Sequence, residues 1–153
     1  AMPAIQTSYN ERIRPYLLGQ VVDMRLSSII SKTAEGADGI GIGMPVARGS
    51  GANGGVMPTG SAVTLGVAVR STDLRPATPN KYAQYESVPV LVRGRIAVLC
   101  SDSGGVVPGD PVYVVPTTGL FRNDNTGSAI QIPGATWETT TANGDIGVIE
   151  LRD

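Results

Sequence analysis

The sequence has no histidine, and only one cysteine, one tryptophan and one phenylalanine in 153 residues. Each shortage excludes some chemistry. Without an imidazole, a serine nucleophile lacks its usual proton acceptor, and zinc loses a principal ligand. Cys100 stands alone, so no intrachain disulfide forms. It ends an apolar, strand-like run and reads as a small buried hydrophobe. Charged residues make up only 16% of the chain, the formal net charge is −1, and the arginines are scattered. A duplex binder needs a concentrated basic surface to displace counterions, so nucleic acid is not an expected partner. No apolar stretch is long enough to span a bilayer, and no membrane partner is expected. The start has no charged segment followed by an apolar one, so synthesis in a cytoplasm is expected. Ala1 ahead of Met2-Pro3 reads as an added residue.

Glycine and proline, by contrast, are plentiful, at 20 and 11 residues. Glycine loses extra backbone entropy on folding, and few large rings are present to offset that by burial. A chain of this length is expected to form one domain with a thin core, and to gain stability by burying surface against partners. Self-association is therefore expected.

Residues 1–18 read as an N-terminal arm. It carries Ile5, Tyr9, Ile13, Tyr16 and Leu17 without strand alternation, and Pro15 limits any helix to a short one. Residues 19–153 read as a single β domain. Short apolar runs fall at 20–24, 28–33, 40–47, 64–70, 88–100, 111–115, 129–132, 135–139 and 145–151, separated by Gly, Pro, Asn and Asp clusters. Such spacing predicts an all-β fold, a small barrel or sandwich of short antiparallel strands with an extended arm and long loops.

Two runs alternate. Leu65, Val67 and Val69 share one face of the first; Val88, Val90, Val92, Ile96, Val98 and Cys100 share the even face of the second. The odd positions of the second include Arg93 and Arg95, so one dry face and one arginine-bearing face are expected. Gly94 between the arginines suits a bulge or bend of the kind a closing barrel needs. Arg93 and Arg95 read as surface charges or interface ion pairs. Val107-Pro108-Gly109-Asp110 reads as a rigid turn before the strand that starts at Pro111, because Pro108 fixes φ and Gly109 can adopt a left-handed conformation. Asn143-Gly144 predicts a hairpin. A Gly-rich loop is expected at 48–60, with its stretch 49–55 a mobile surface segment. Tyr82 and Tyr85 fall in a second long connection, 71–87, where contacts with partners are natural.

Catalytic patterns fail on context. Ser101-Asp102-Ser103-Gly104-Gly105 resembles the nucleophile loop of chymotrypsin-like peptidases, but no histidine serves Ser103, and no motif links it to Lys32 or Lys81. Gly49-Ser50-Gly51-Ala52-Asn53-Gly54 matches a dinucleotide fingerprint in letters only, since Gly55 and Pro58 follow in place of a helix. Asp102, Asp110 and Asp124 lack calcium-loop spacing and read as turn carboxylates. No enzyme activity, cofactor or metal is expected.

Several stretches together resemble the structural cement proteins of bacteriophages. They are Met2-Pro3-Ala4-Ile5-Gln6-Thr7-Ser8-Tyr9, Leu65–Arg70, Tyr82–Gly94, Pro108–Tyr113, Ile132–Trp137 and Gly147–Leu151. The resemblance runs nearly end to end, and it lies in the order of the motifs more than in any one of them. It implies a virion protein without catalytic residues that sits on the outside of the head, self-associates and clamps major capsid subunits together. Trimers are favoured over dimers. On this reading Ile5, Tyr9, Ile13, Tyr16, Leu17, Tyr82, Tyr85, Arg93, Arg95 and Trp137 are the candidate partner contacts. Two alternatives remain open: a carbohydrate- or receptor-binding module using Trp137 with Tyr82 or Tyr85, and a trimeric nucleotide hydrolase, for which no phosphate-gripping motifs are found.

Overall fold

The computed structural model of the chain describes residues 16–23, 27–71 and 81–152. Among these there is no helix. Eleven strands follow in order: β1 (Ser28–Ala34), β2 (Ile40–Gly41), β3 (Pro45–Arg48), β4 (Gly54–Val56), β5 (Gly66–Ala68), β6 (Lys81–Tyr82), β7 (Ser87–Leu99), β8 (Pro111–Val115), β9 (Leu120–Arg122), β10 (Ile130–Trp137) and β11 (Ile146–Leu151). The fold is all-β and built on a barrel.

β7 belongs to two sheets at once. Its first half closes a five-stranded barrel, β1-β4-β3-β5-β7, because β1 pairs with both β4 and β7. Its second half continues into β11, β10, β8 and β9. That second sheet curls back on itself, and a bridge between Cys100 and Phe121 joins β9 to the residue that follows β7. Most ladders are antiparallel. The β1–β4 pairing is parallel, with Thr33 opposite Gly54, and departs from the expected pattern.

Each half has its own core. Ala34, Ile40, Ile42, Val46, Ala68, Tyr82, Val88 and Val90 form one. The other gathers Ile96, Val98, Cys100, Val106, Val112, Val114, Phe121, Ile132, Ala135, Trp137, Ile149 and Leu151, together with Val67 and Leu91. The β5–β7 ladder is the wall between them. Val67 pairs with Leu91 and faces the larger core, whereas Ala68 pairs with Val90 and faces the smaller. Both faces of β5 are therefore dry, as expected of a strand buried on two sides.

Gly94 is where the alternation inverts. Val88 and Val90 lie in one core, yet Ile96, Val98 and Cys100, of the same parity, lie in the other. The β1–β7 register slips at this point, with Ser28 opposite Arg93 and Ile29 opposite Leu91, leaving Val92 as the extra residue. Gly94 itself has φ 124. One unpaired residue reverses which face each later side chain occupies. The extra residue is thus Val92, two positions before Gly94, and the strand is not one-sided: Leu91 and Ala97, on the odd face, are fully buried.

Turn chemistry follows the sequence closely. The Asp110 N–H donates to the Val107 carbonyl at 3.2 Å across Pro108 and Gly109, and Gly109 has φ 92. That is a type II turn. At Asn143-Gly144 only Gly144 takes positive φ, at 88, and the connection between β10 and β11 is wider than a two-residue hairpin. β10 runs through Pro133-Gly134 by a register shift between Gln131 and Thr136, so two expected runs are one bulged strand.

The Gly-rich stretch is ordered by Glu35. Its carboxylate accepts the N–H groups of Ser50 and Gly51, both at 2.7 Å, and the Ser50 hydroxyl at 3.1 Å. A Cβ at Gly49 or Gly54 would overlap that carboxylate, which is why glycine is needed there. The stretch also contains β4. The tip of the stretch folds around the Glu35 carboxylate, which is only partly buried.

Candidate partner-binding surface

The sequence-derived contact residues scatter over the structure. Ile5, Tyr9 and Ile13 lie outside the described residues. Tyr16 and Leu17 open the described chain, which then lies along β7: Gly19 N–H donates to the Ala97 carbonyl at 2.8 Å, and Val22 N–H to that of Arg95 at 3.2 Å. Leu17 is 55% exposed. Tyr16 lines a cleft of about 610 Å³ with Leu99, Thr139, Thr140, Thr141, Gly144, Asp145 and Ile146.

Two candidates are corrected by burial. Trp137 is 0% exposed and Tyr82 4%. Trp137 is drawn inward because β10 crosses the larger core, and Tyr82 packs in the smaller one. The Tyr82 hydroxyl donates to the Val69 carbonyl, and burial pushes the phenol above its ordinary pKa. Neither ring is open on the surface of the protomer, so Trp137 and Tyr82 do not form an exposed aromatic platform.

Arg93 is exposed. Arg95 is engaged within the chain, with Asp23 at 3.9 Å, Glu138 at 3.6 Å and Glu150 at 3.9 Å. Its Nε is buried without a hydrogen bond. Arg95 is thus an internal charge hub, a role outside both sequence expectations. Tyr85 stands at the other extreme, 76% exposed.

Several exposed apolar side chains carried no sequence signal: Ile29, Val63, Val107 and Leu120. Each sits in a short polar or alternating stretch, where only the strand's final facing decides exposure. A second cleft, of about 500 Å³, is lined by the Gly36–Gly39 turn with Met44, Val56, Met57 and Thr117.

The polar groups near the peptidase-like loop are committed to structure. Asp102 accepts Gly104 N–H at 2.9 Å and pairs with Arg122 at 3.8 Å. Asp110 accepts Val107 N–H at 3.1 Å and the Asn123 amide at 3.0 Å. Lys32 is buried on the barrel strand β1, where its Nζ donates to the Ala52 carbonyl at 3.4 Å, and Lys81 donates to the Asp38 carbonyl. Lys81 lies in the separate two-stranded β2–β6 sheet, and Ser103 lies in the loop that follows β7. Burial raises the pKa of the Cys100 thiol, which keeps it protonated and unreactive. Among the described residues no group of three or more metal-ligating side chains comes together.

Among the described residues, what this arrangement offers is surface: clefts, isolated apolar side chains and the protruding Tyr85 ring. No curated protein is similar in sequence. In fold the chain is similar to a chain of a solved structure described as "The capsid of Myoviridae Phage XM1", with a TM-score of 0.78 and 14% identity, covering 99% of each chain. The model of the family described as "Structural cement protein (E217 gp24/Pam3 gp6)" matches residues 5–152. The chain therefore belongs to the phage structural cement protein family, a class of virion structural proteins.

Proposed function

We propose that the protein binds the outer surface of the assembled phage head and holds neighbouring major capsid subunits together. It is made in the host cytoplasm and acts as a homo-oligomer, with three protomers favoured over two because three clustered copies can bridge several capsomers. The observation that carries this reading is the family match over residues 5–152. The chemistry agrees with it: the polar side chains of the peptidase-like loop serve turns and ladders, and what remains outward is contact surface.

The energetics favour such a role. A ligand that binds only the assembled, expanded shell stabilises that state by mass action, and many copies act together. A stable contact of this kind buries on the order of 1,200 Å² or more. The expected contacts are the N-terminal arm with Tyr16 and Leu17, the exposed Tyr85 turn, and Arg93.

The test is sedimentation of purified protein with mature heads that lack it and, separately, with immature shells. Saturable binding to expanded but not immature shells is expected. Binding to neither would overturn the proposal. Mass in solution, alone and with the capsid protein, reads the oligomer directly.

A further inference from the structure

We propose that Tyr85 is a pre-set anchor of the shell contact. Its ring is held out for an apolar recess, lined with a hydrogen-bond acceptor, on the major capsid protein. This rests on the cement reading above and names where that contact is made.

The argument begins with the backbone. Glu86 N–H donates to the Ala83 carbonyl at 3.1 Å, closing a turn in which Tyr85 is the third residue, with φ 68. A turn of this shape calls for glycine or asparagine at that position, and a bulky ring there is strained. The strain is held in place from several sides. Tyr85 N–H donates to the Ala34 carbonyl at 2.7 Å, and Ala34 N–H to that of Glu86 at 3.0 Å. The Glu86 carboxylate accepts Ala83 N–H at 3.0 Å, and the Gln84 amide donates to the Glu35 carbonyl at 3.0 Å.

The second observation is exposure. At 76%, Tyr85 is the most exposed of the large hydrophobic side chains described. Within the protomer the ring recovers little burial to offset its backbone cost. Strain that surrounding hydrogen bonds over-determine is a mark of functional positions. A tyrosine with two rotatable side-chain bonds, on a turn that is already fixed, loses little freedom when it docks. Its apolar body and hydroxyl tip define the recess it fits.

The proposal separates folding from binding, and so does its test. Tyr85→Gly and Tyr85→Asn relieve the backbone, and each is expected to leave the melting temperature unchanged or raised. Both should lower affinity for undecorated mature heads at least tenfold, while Tyr85→Phe stays within about fivefold of the wild type, the cost of one hydrogen bond. Either relieved variant binding within twofold of the wild type would overturn the assignment. So would a changed oligomer mass with undiminished shell binding, which would make the ring a contact between copies of this chain. Failure of the wild type itself to bind heads is a different result and overturns the parent reading.

Discussion

The indole Nε1 of Trp137 donates a hydrogen bond to the Arg122 carbonyl at 3.2 Å, which ties the end of β10 to β9 by the single polar atom of the ring. The Trp137 backbone is used as well: its N–H donates to the Asp110 carbonyl, and its carbonyl accepts from Gly109, both at 2.8 Å. Trp137→Phe removes that hydrogen bond while the Arg122 carbonyl keeps its place in the β8–β9 ladder, and is expected to cost about 0.5–1.5 kcal/mol. Trp137→Ala, which also opens a cavity, is expected to cost about 3–5 kcal/mol. Urea unfolding followed by circular dichroism checks both, because the variants lose the only tryptophan fluorescence.

The Glu35 carboxyl is held below its ordinary pKa, first by the N–H of Gly51 and then by that of Ser50. A lowered carboxyl pKa stabilises the fold above the unfolded-state value, and that contribution is lost as pH falls through the lower folded value. The Gly51 amide proton is therefore expected to titrate in NMR spectra with a midpoint below the ~4.3 of a free glutamate. In Glu35→Gln that titration should vanish, and exchange of the Ser50 and Gly51 amides should quicken. A midpoint at or above the free value would contradict the geometry.

Gly94 and Gly134 both have positive φ but differ in surroundings. A Cβ at Gly94, where φ is 124, would meet the Ser27 Cβ at 2.9 Å; at Gly134, where φ is 75, the nearest atom is 3.7 Å away. Gly94→Ala is expected to cost about 2–3 kcal/mol and Gly134→Ala about 1 kcal/mol. Denaturant midpoints of the two variants measure the difference.

Removing the Arg95 charge leaves Asp23, Glu138 and Glu150 facing one another. Arg95→Met is expected to cost about 1–2 kcal/mol at neutral pH, less than a fully buried pair because the group is partly solvated. Glu150 is held below its ordinary pKa first by the hydrogen bond from Arg152, with the Arg95 charge a smaller contribution. Its stabilising effect is present above the unfolded-state pKa and lost as pH falls through the folded one. The deficit of the variant should therefore shrink as pH falls through the lowered Glu150 titration. Stability curves at several pH values test this.

Local backbone chemistry was legible in advance. Pro108-Gly109 makes its turn, Gly94 takes positive φ beside the bulge at Val92, and the β8 and β11 runs form their strands, since each depends on residues adjacent in sequence. β4 was hidden because Gly54–Val56 has no alternation of its own and forms only by pairing with β1 and β3. β9 was hidden for a similar reason, being three residues long. At the candidate surface, Leu17 and Tyr85 are exposed, whereas Trp137 and Tyr82 are buried. An aromatic residue in a Gly- and Pro-rich chain reads the same whether it fills a core or faces outward.

By itself, the sequence determined the class of fold. Abundant turn residues between short apolar runs specify a β scaffold, because allowed φ values and side-chain character are properties of residues. Tertiary structure decided how β7 divides between the barrel and the second sheet, which face each residue turns to each core, and why Glu35 and Arg95 hold what they hold. Those outcomes depend on one extra residue at Val92 and on pairings between distant strands, and a register is settled only when both partners have met.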